Sequence, residues 1–163
     1  MTEYTVRRAT PDDAATIARQ RSRMFIAAGY ADEARGGEVE EAFAPWVRPL
    51  LENGTYIGWM VHPLGEPEHV VAGAGLWVME FPPHFLDLTP RRAYLLNFYV
   101  EPEARGQKLA ERLLALAVEE AGRLGIRVVS LHASWMGKPI YEKNGFEAST
   151  EMLRILPEAP GVS

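Results

Sequence analysis

The stretch that most constrains this chain runs from Ala93 to Leu124. It opens with the apolar, aromatic run Ala93-Tyr94-Leu95-Leu96-Asn97-Phe98-Tyr99-Val100, turns through Glu101-Pro102-Glu103-Ala104, and delivers the basic loop Arg105-Gly106-Gln107-Lys108 to an amphipathic segment. The first run has the composition of a strand. Leu109, Leu113, Leu116, Ala117 and Ala121 then recur at helical spacing, and Gly125 supplies a stop, so a helix is expected from about Gly106 to Leu124. A helix start carries unpaired backbone N–H groups and a partial positive charge, which suits it to an anion. Gly106 lets the backbone come close to such a ligand, and Arg105 and Lys108 add formal charge. Phosphate is the natural candidate. Taken alone, the loop fits an ordinary junction with solvated basic residues equally well.

Composition narrows the choice. At 163 residues, the chain is expected to form a single domain, 1–163, with a continuous core. A formal net charge of -5 argues against general affinity for nucleic acid or a membrane surface. The absence of cysteine removes disulfides, thiolate metal ligands and a cysteine nucleophile. His62, His69, His84 and His132 show no ligand spacing, so no metal is assigned. The N-terminus lacks a basic region followed by an apolar core, and no apolar run is long enough to span a bilayer; the expectation is the cytoplasm.

In chain order, Tyr4–Ala9 reads as a first strand, and Thr10-Pro11-Asp12-Asp13 as a helix start with N-cap hydroxyl, proline and early acids. The first helix presents Ile17, Arg21, Met24, Phe25 and Ala28 before Gly29. Residues 31–37 read as a loop and Glu38–Glu52 as a second helix made irregular by Pro45 and Pro49. Thr55–Val61 and Val70–Met79 form a hairpin pattern, followed by a loop to Arg92. After the central strand and helix come a strand at Arg127–Ala133, a short helix within Lys138–Phe146, a last strand at Glu147–Leu156 and a loose tail, 157–163.

Two segments carry a family resemblance. Val100-Glu101-Pro102 followed by Arg105-Gly106-Gln107-Lys108-Leu109-Ala110 resembles the acyl-coenzyme A motif Q/R-x-x-G-x-G/A of the GNAT superfamily of N-acetyltransferases, with Arg105 and Ala110 in the outer positions. Lys108 departs from it, standing where the family usually has the inner glycine. Lys138-Pro139-Ile140-Tyr141-Glu142-Lys143-Asn144-Gly145-Phe146 resembles the family's x-x-L-Y-E-K-x-G-F segment. Together, in this order and separated by a strand, they are specific. The resemblance implies an α/β (α+β) three-layer fold: a mixed, mostly antiparallel sheet of six to seven strands, about four flanking helices, and splayed fourth and fifth strands.

It also implies acetyl-CoA as co-substrate and direct attack of an amine on the thioester. Backbone amides of Arg105, Gly106, Gln107, Lys108, Leu109 and Ala110 would hold the pyrophosphate. Phe98, Tyr99 and Val100 would pair with the pantetheine, one backbone N–H there polarising the thioester carbonyl. Ser134 either contacts the pantetheine or caps a turn. Tyr141 matches the family tyrosine near the sulfur, and a phenol protonated at neutral pH can donate to a thiolate. The base is left open: the fourth-strand glutamate of some relatives falls on Tyr94, leaving Glu80, Glu33, His132 or relayed water. Asn97 is an amide in an apolar run, so it either anchors structure or orients substrate. Arg21, Phe25, Tyr30, Glu33, Phe43 and Trp46 form a pool of candidate acceptor contacts, core packing being the favoured role for each aromatic. The acceptor is expected to be an amine of a small molecule or peptide, and a homodimer is compatible with exposed sheet edges. Two rivals share the motifs: transfer from another acyl-CoA, and a non-catalytic CoA-binding module.

Overall fold

A computed structural model describes residues 1–161. The end of the expected loose tail, residues 162 and 163, lies outside the described residues. The strands are β1 (Tyr4–Arg8), β2 (Tyr56–Pro63), β3 (Ala72–Glu80), β4 (Arg91–Val100) and β5 (Val129–Leu131). The helices are α1 (Ala14–Ala27), α2 (Glu33–Asn53), α3 (Leu109–Arg123) and α4 (Lys138–Lys143). The sheet order is β1-β2-β3-β4-β5. The first three pairings are antiparallel and β4–β5 is parallel, because α3 carries the chain back along the sheet. Among the described residues no helix is long and apolar enough to cross a membrane.

Helices cover both faces, giving three layers and two cores. On one face Ala14, Ile17 and Ala18 of α1 and Phe43 and Val47 of α2 pack on Tyr56, Met60 and Leu96. On the other, Leu109, Leu113, Leu114, Ala117 and Ala121 of α3 pack on Trp59, Val61, Leu76 and Leu95. The α1 start is tied to β1: Asp13 accepts the Thr10 N–H at 2.7 Å and a two-pronged contact from Arg7 at 2.9 Å.

Two expectations are corrected. The helix foreseen at Glu38–Glu52 begins at Glu33, with Asp32 as N-cap accepting the Arg35 N–H at 2.8 Å, and runs unbroken to Asn53. Gly36 signals no turn here: a Cβ on it would lie 2.5 Å from Ile26 Cδ1, so glycine lets α1 and α2 approach. Pro45 and Pro49 are four apart and both exposed, so the carbonyls they leave without a helical partner face water. The sheet also has five strands among the described residues instead of six to seven. The strand expected at 147–156 is absent; that stretch is irregular, with Met152, Leu153, Ile155 and Leu156 exposed and no strand beside it. Apolar composition without a pairing partner does not make a strand.

The centre of β4 carries a β-bulge. Gly75 pairs with Leu96 and Gly73 with Tyr99, so Ala74 alone faces Asn97 and Phe98. Asn97 has φ 61°, a left-handed conformation that asparagine tolerates better than most residues. As a result Leu96 and Asn97 both face α1 and α2, while Phe98 and Val100 pack with the α3 core. Just ahead of the bulge, from Leu96 onward, β4 loses its other neighbour. β5 pairs only with Ala93, Tyr94 and Leu95, so the strands part where splaying was expected and the edge from Leu96 to Val100 is open.

Candidate active site

A cavity of about 920 Å³ fills the gap left by that parting. Its wall is the open edge of β4, its sides are α1 and the residues following β5, and its floor is the start of α3 with α4.

The α3 start leaves backbone donors uncapped. Lys108, its N-cap, makes no side-chain capping bond, and the first helical bond runs from the Arg112 N–H to the Lys108 carbonyl at 3.1 Å. The intervening N–H groups of Leu109, Ala110 and Glu111 therefore lack helical partners, and all three residues line the cavity. Gly106 has φ 80° with no atom within 4 Å of where a Cβ would stand. Lys108 has φ 57°. A left-handed turn of this kind favours glycine, and lysine accepts the conformation at a cost of about 1–2 kcal/mol. Arg105 Nε donates to the Val100 carbonyl at 3.2 Å, which folds the loop back against the end of β4.

Opposite the loop, Tyr141 projects from α4, packing edge-on against Phe98 at 6.1 Å and Phe146 at 5.9 Å between ring centroids. Burial pushes its phenol up to about 12, so it holds its proton throughout the physiological range. The Ser134 hydroxyl accepts the Gly137 N–H at 3.1 Å, capping the turn into α4, and also lines the cavity. Both readings of Ser134 are thus compatible.

The far end of the cavity is polar and deeper. Arg21 Nη1 donates to Asn97 Oδ1 at 2.9 Å, and Asn97 Nδ2 donates to the Tyr56 hydroxyl oxygen at 2.9 Å. Tyr56 is 2 % exposed and burial drives its phenol upward, so it stays neutral. Asn97 is the anchor of this chain of bonds. Nearby, the Tyr94 hydroxyl shares a hydrogen bond with His132 Nδ1, and His132 Nε2 lies 3.7 Å from Glu151. Tyr94 is raised too, chiefly by burial.

The cavity therefore gathers Asn97, Phe98, Tyr99, Val100, Arg105, Gly106, Lys108, Leu109, Ala110, Ser134 and Tyr141. Of the expected contacts Gln107 is exposed and does not line it. Glu80 sits exposed at the end of β3, outside the cavity, and Glu33 is engaged with Arg23 at 3.3 Å. Of the candidate bases named from sequence, His132 alone lines it. From the acceptor pool Arg21, Phe25 and Tyr30 line the cavity, while Phe43 and Trp46 stack behind it with Trp77. The Tyr94–His132 pairing was not foreseen, since the two are 38 positions apart and only the β4–β5 pairing brings them together. Among the described residues no group of three or more His, Cys, Asp or Glu could hold a metal ion.

The Acetyltransferase (GNAT) domain family model matches residues 53–148, more than half of the chain and all of the cavity's β4, α3 and α4 contributions. The chain belongs to the GNAT acetyltransferase family. A GCN5-related N-acetyltransferase from Ralstonia eutropha is similar over 94% of this chain and 99% of its own, at 34% identity and TM-score 0.88. A predicted acetyltransferase with acetyl-CoA from Clostridium acetobutylicum shares 27% identity over 94% of this chain and 96% of its own, with TM-score 0.84. The uncharacterized N-acetyltransferase YhfO of Bacillus subtilis is 32% identical over 82 residues, so the match spans 48% of this chain and 55% of that relative. Both GNAT signature segments lie within the matched range, and in this GNAT domain they meet across one cavity.

Proposed function

We propose that this GNAT domain moves an acetyl group from acetyl-CoA to a primary amine of a small molecule or peptide. The observation that carries the reading is the convergence, on one cavity, of an uncapped helix start behind a left-handed basic loop, an open strand edge, and a buried protonated phenol. The first suits a pyrophosphate, the second an extended amide chain, the third a departing thiolate. The Clostridium acetobutylicum neighbour, whose name includes acetyl-CoA, supports the choice of donor.

In this scheme the amine nitrogen attacks the thioester carbonyl carbon directly. A backbone N–H on the open edge of β4 donates to the carbonyl oxygen as negative charge develops there. Collapse breaks the C–S bond, the Tyr141 O–H gives its proton to sulfur, and Tyr141 regains one from water. The proton lost by the amine leaves through the Tyr94–His132 hydrogen bond to solvent. Asn97 holds Arg21 and the bulge in place.

The test is titration of acetyl-CoA into wild type and Gly106→Trp, then assay of free thiol with a panel of amines. Expected are an affinity loss of at least about tenfold in Gly106→Trp and thiol release with some amine class. Tyr141→Phe is expected to keep the affinity and to lower kcat by about 100-fold. Binding without thiol release from any amine would overturn the reading in favour of a non-catalytic CoA module.

A further inference from the structure

Arg21 is a cation without a counterion. It projects from α1 into the inner end of the cavity, and among the described residues no carboxylate lies within 4.0 Å of it. Its neighbours of the same helix, Arg19 and Arg23, are paired with Glu101 and Glu33. Burial depresses its pKa, and the opposing influences come from the Tyr94 and Tyr56 phenols, not from an acid. A half-buried charge left in that state is costly unless something else neutralises it.

The guanidinium is also pre-set. Its Cζ lies 4.8 Å from the ring centroids of both Phe25 and Phe43, so two aromatic rings restrict its movement. One of its five N–H groups is committed to Asn97. The remaining Arg21 nitrogens have no partner in the protein, yet Gln20 Nε2 is the sole buried side-chain polar atom left unpaired among the described residues. The Arg21 nitrogens therefore keep access to the cavity. A planar fork with free donors, flanked by two aromatic rings, matches a carboxylate in two-pronged geometry. The cavity has a positive bias in a protein of net charge -5: Arg21, Arg105 and Lys108 line it against one carboxylate, Glu111. Arg105 and Lys108 belong to the loop at the other end.

We propose that Arg21 is the receptor for a carboxylate on the acceptor, so that the substrate class is an amine carrying a carboxylate, as in an amino acid. This rests on the acetyltransfer reading for the word acceptor, but not for the binding itself. The Arg21–Asn97–Tyr56 chain ties the carboxylate's position to the β4 bulge, on the open edge and next to Phe98. The amine end then faces the thioester and the Tyr94–His132 pair.

The test separates binding from turnover. CoA-saturated protein, which cannot react, is titrated calorimetrically with phenylalanine and leucine, with phenethylamine and isoamylamine as counterparts lacking the carboxylate, and with phosphoethanolamine. Expected is affinity at least about tenfold tighter for the carboxylated members, abolished in Arg21→Gln and weakened in Arg21→Lys, which keeps the charge but loses the fork. CoA affinity and melting temperature, measured in parallel, are expected to stay near wild type in Arg21→Lys, which keeps that variant informative if Arg21→Gln does not fold. Equal affinity with and without the carboxylate, no measurable binding of any member, or preference for phosphoethanolamine would each overturn the proposal. Carboxylate-dependent binding without thiol release from acetyl-CoA would uphold the site and overturn the acetyltransfer reading. Thiol release indifferent to the carboxylate and to Arg21 would do the reverse.

Discussion

Single residues in this molecule are constrained by the side chains that lie across them on the sheet. Gly75 shows this most sharply. A Cβ on it would fall 2.0 Å from the Tyr56 hydroxyl oxygen, so glycine there makes room for the phenol that Asn97 holds. Gly75→Ala is expected to push Tyr56 aside, break its bond with Asn97 and cost about 1–3 kcal/mol, read as a lower urea midpoint with unchanged slope. Its effect on carboxylate binding is expected to follow, because Arg21 shares the same asparagine. None of this was legible in the sequence. Asn97 stood out as an amide among apolar residues, but its left-handed φ and its partners depend on a pairing register that composition does not reveal.

At the scale of elements, the strand-to-helix junctions were the legible part. The β4 run, the basic loop, α3 and α4 fell close to their expected bounds because turn chemistry and helical spacing are local signals. The start of α2 was misread because a glycine needed for helix contact looks, in sequence, like a glycine needed for a turn. The junction of β1 with α1 yields a pH prediction. Burial by itself would raise the Asp13 carboxyl, but the Arg7 guanidinium and the Thr10 N–H outweigh it and hold the carboxyl below its usual value. Such a group contributes stability above the unfolded-state pKa, near 3.9, and loses it as pH falls through the lower folded value. Asp13→Asn is therefore expected to be less stable than wild type at pH 7, with the gap closing below about pH 4. A gap that stayed constant down to pH 2 in thermal melts would show that the pairing contributes nothing through ionisation.

Across the whole molecule, the sheet divides the apolar interior into two clusters with different helices on each. Ile17 and Leu113 are each 0–1 % exposed, one per cluster. Truncation of either to alanine is expected to cost about 2–5 kcal/mol, and the two losses should add within about 0.5 kcal/mol because the sites share no neighbours. A fold of ordinary stability would then be close to unfolded in the double variant, which a denaturant titration would report. The fold class was legible at this scale and the strand count was not, since 147–156 has the composition of a strand and no partner to make it one. The bulge, finally, has a consequence for how the chain tolerates lost residues. Deleting Asn97 would bring Phe98 opposite Ala74, with Leu96 and Tyr99 still facing Gly75 and Gly73, so every remaining side chain of β4 keeps its face. Deleting Leu95 instead turns Ala93 and Tyr94 over relative to Leu96. A library of one-residue deletions along β4 should therefore yield a folded protein at position 97 that has lost its polar network, and misfolded protein at position 95.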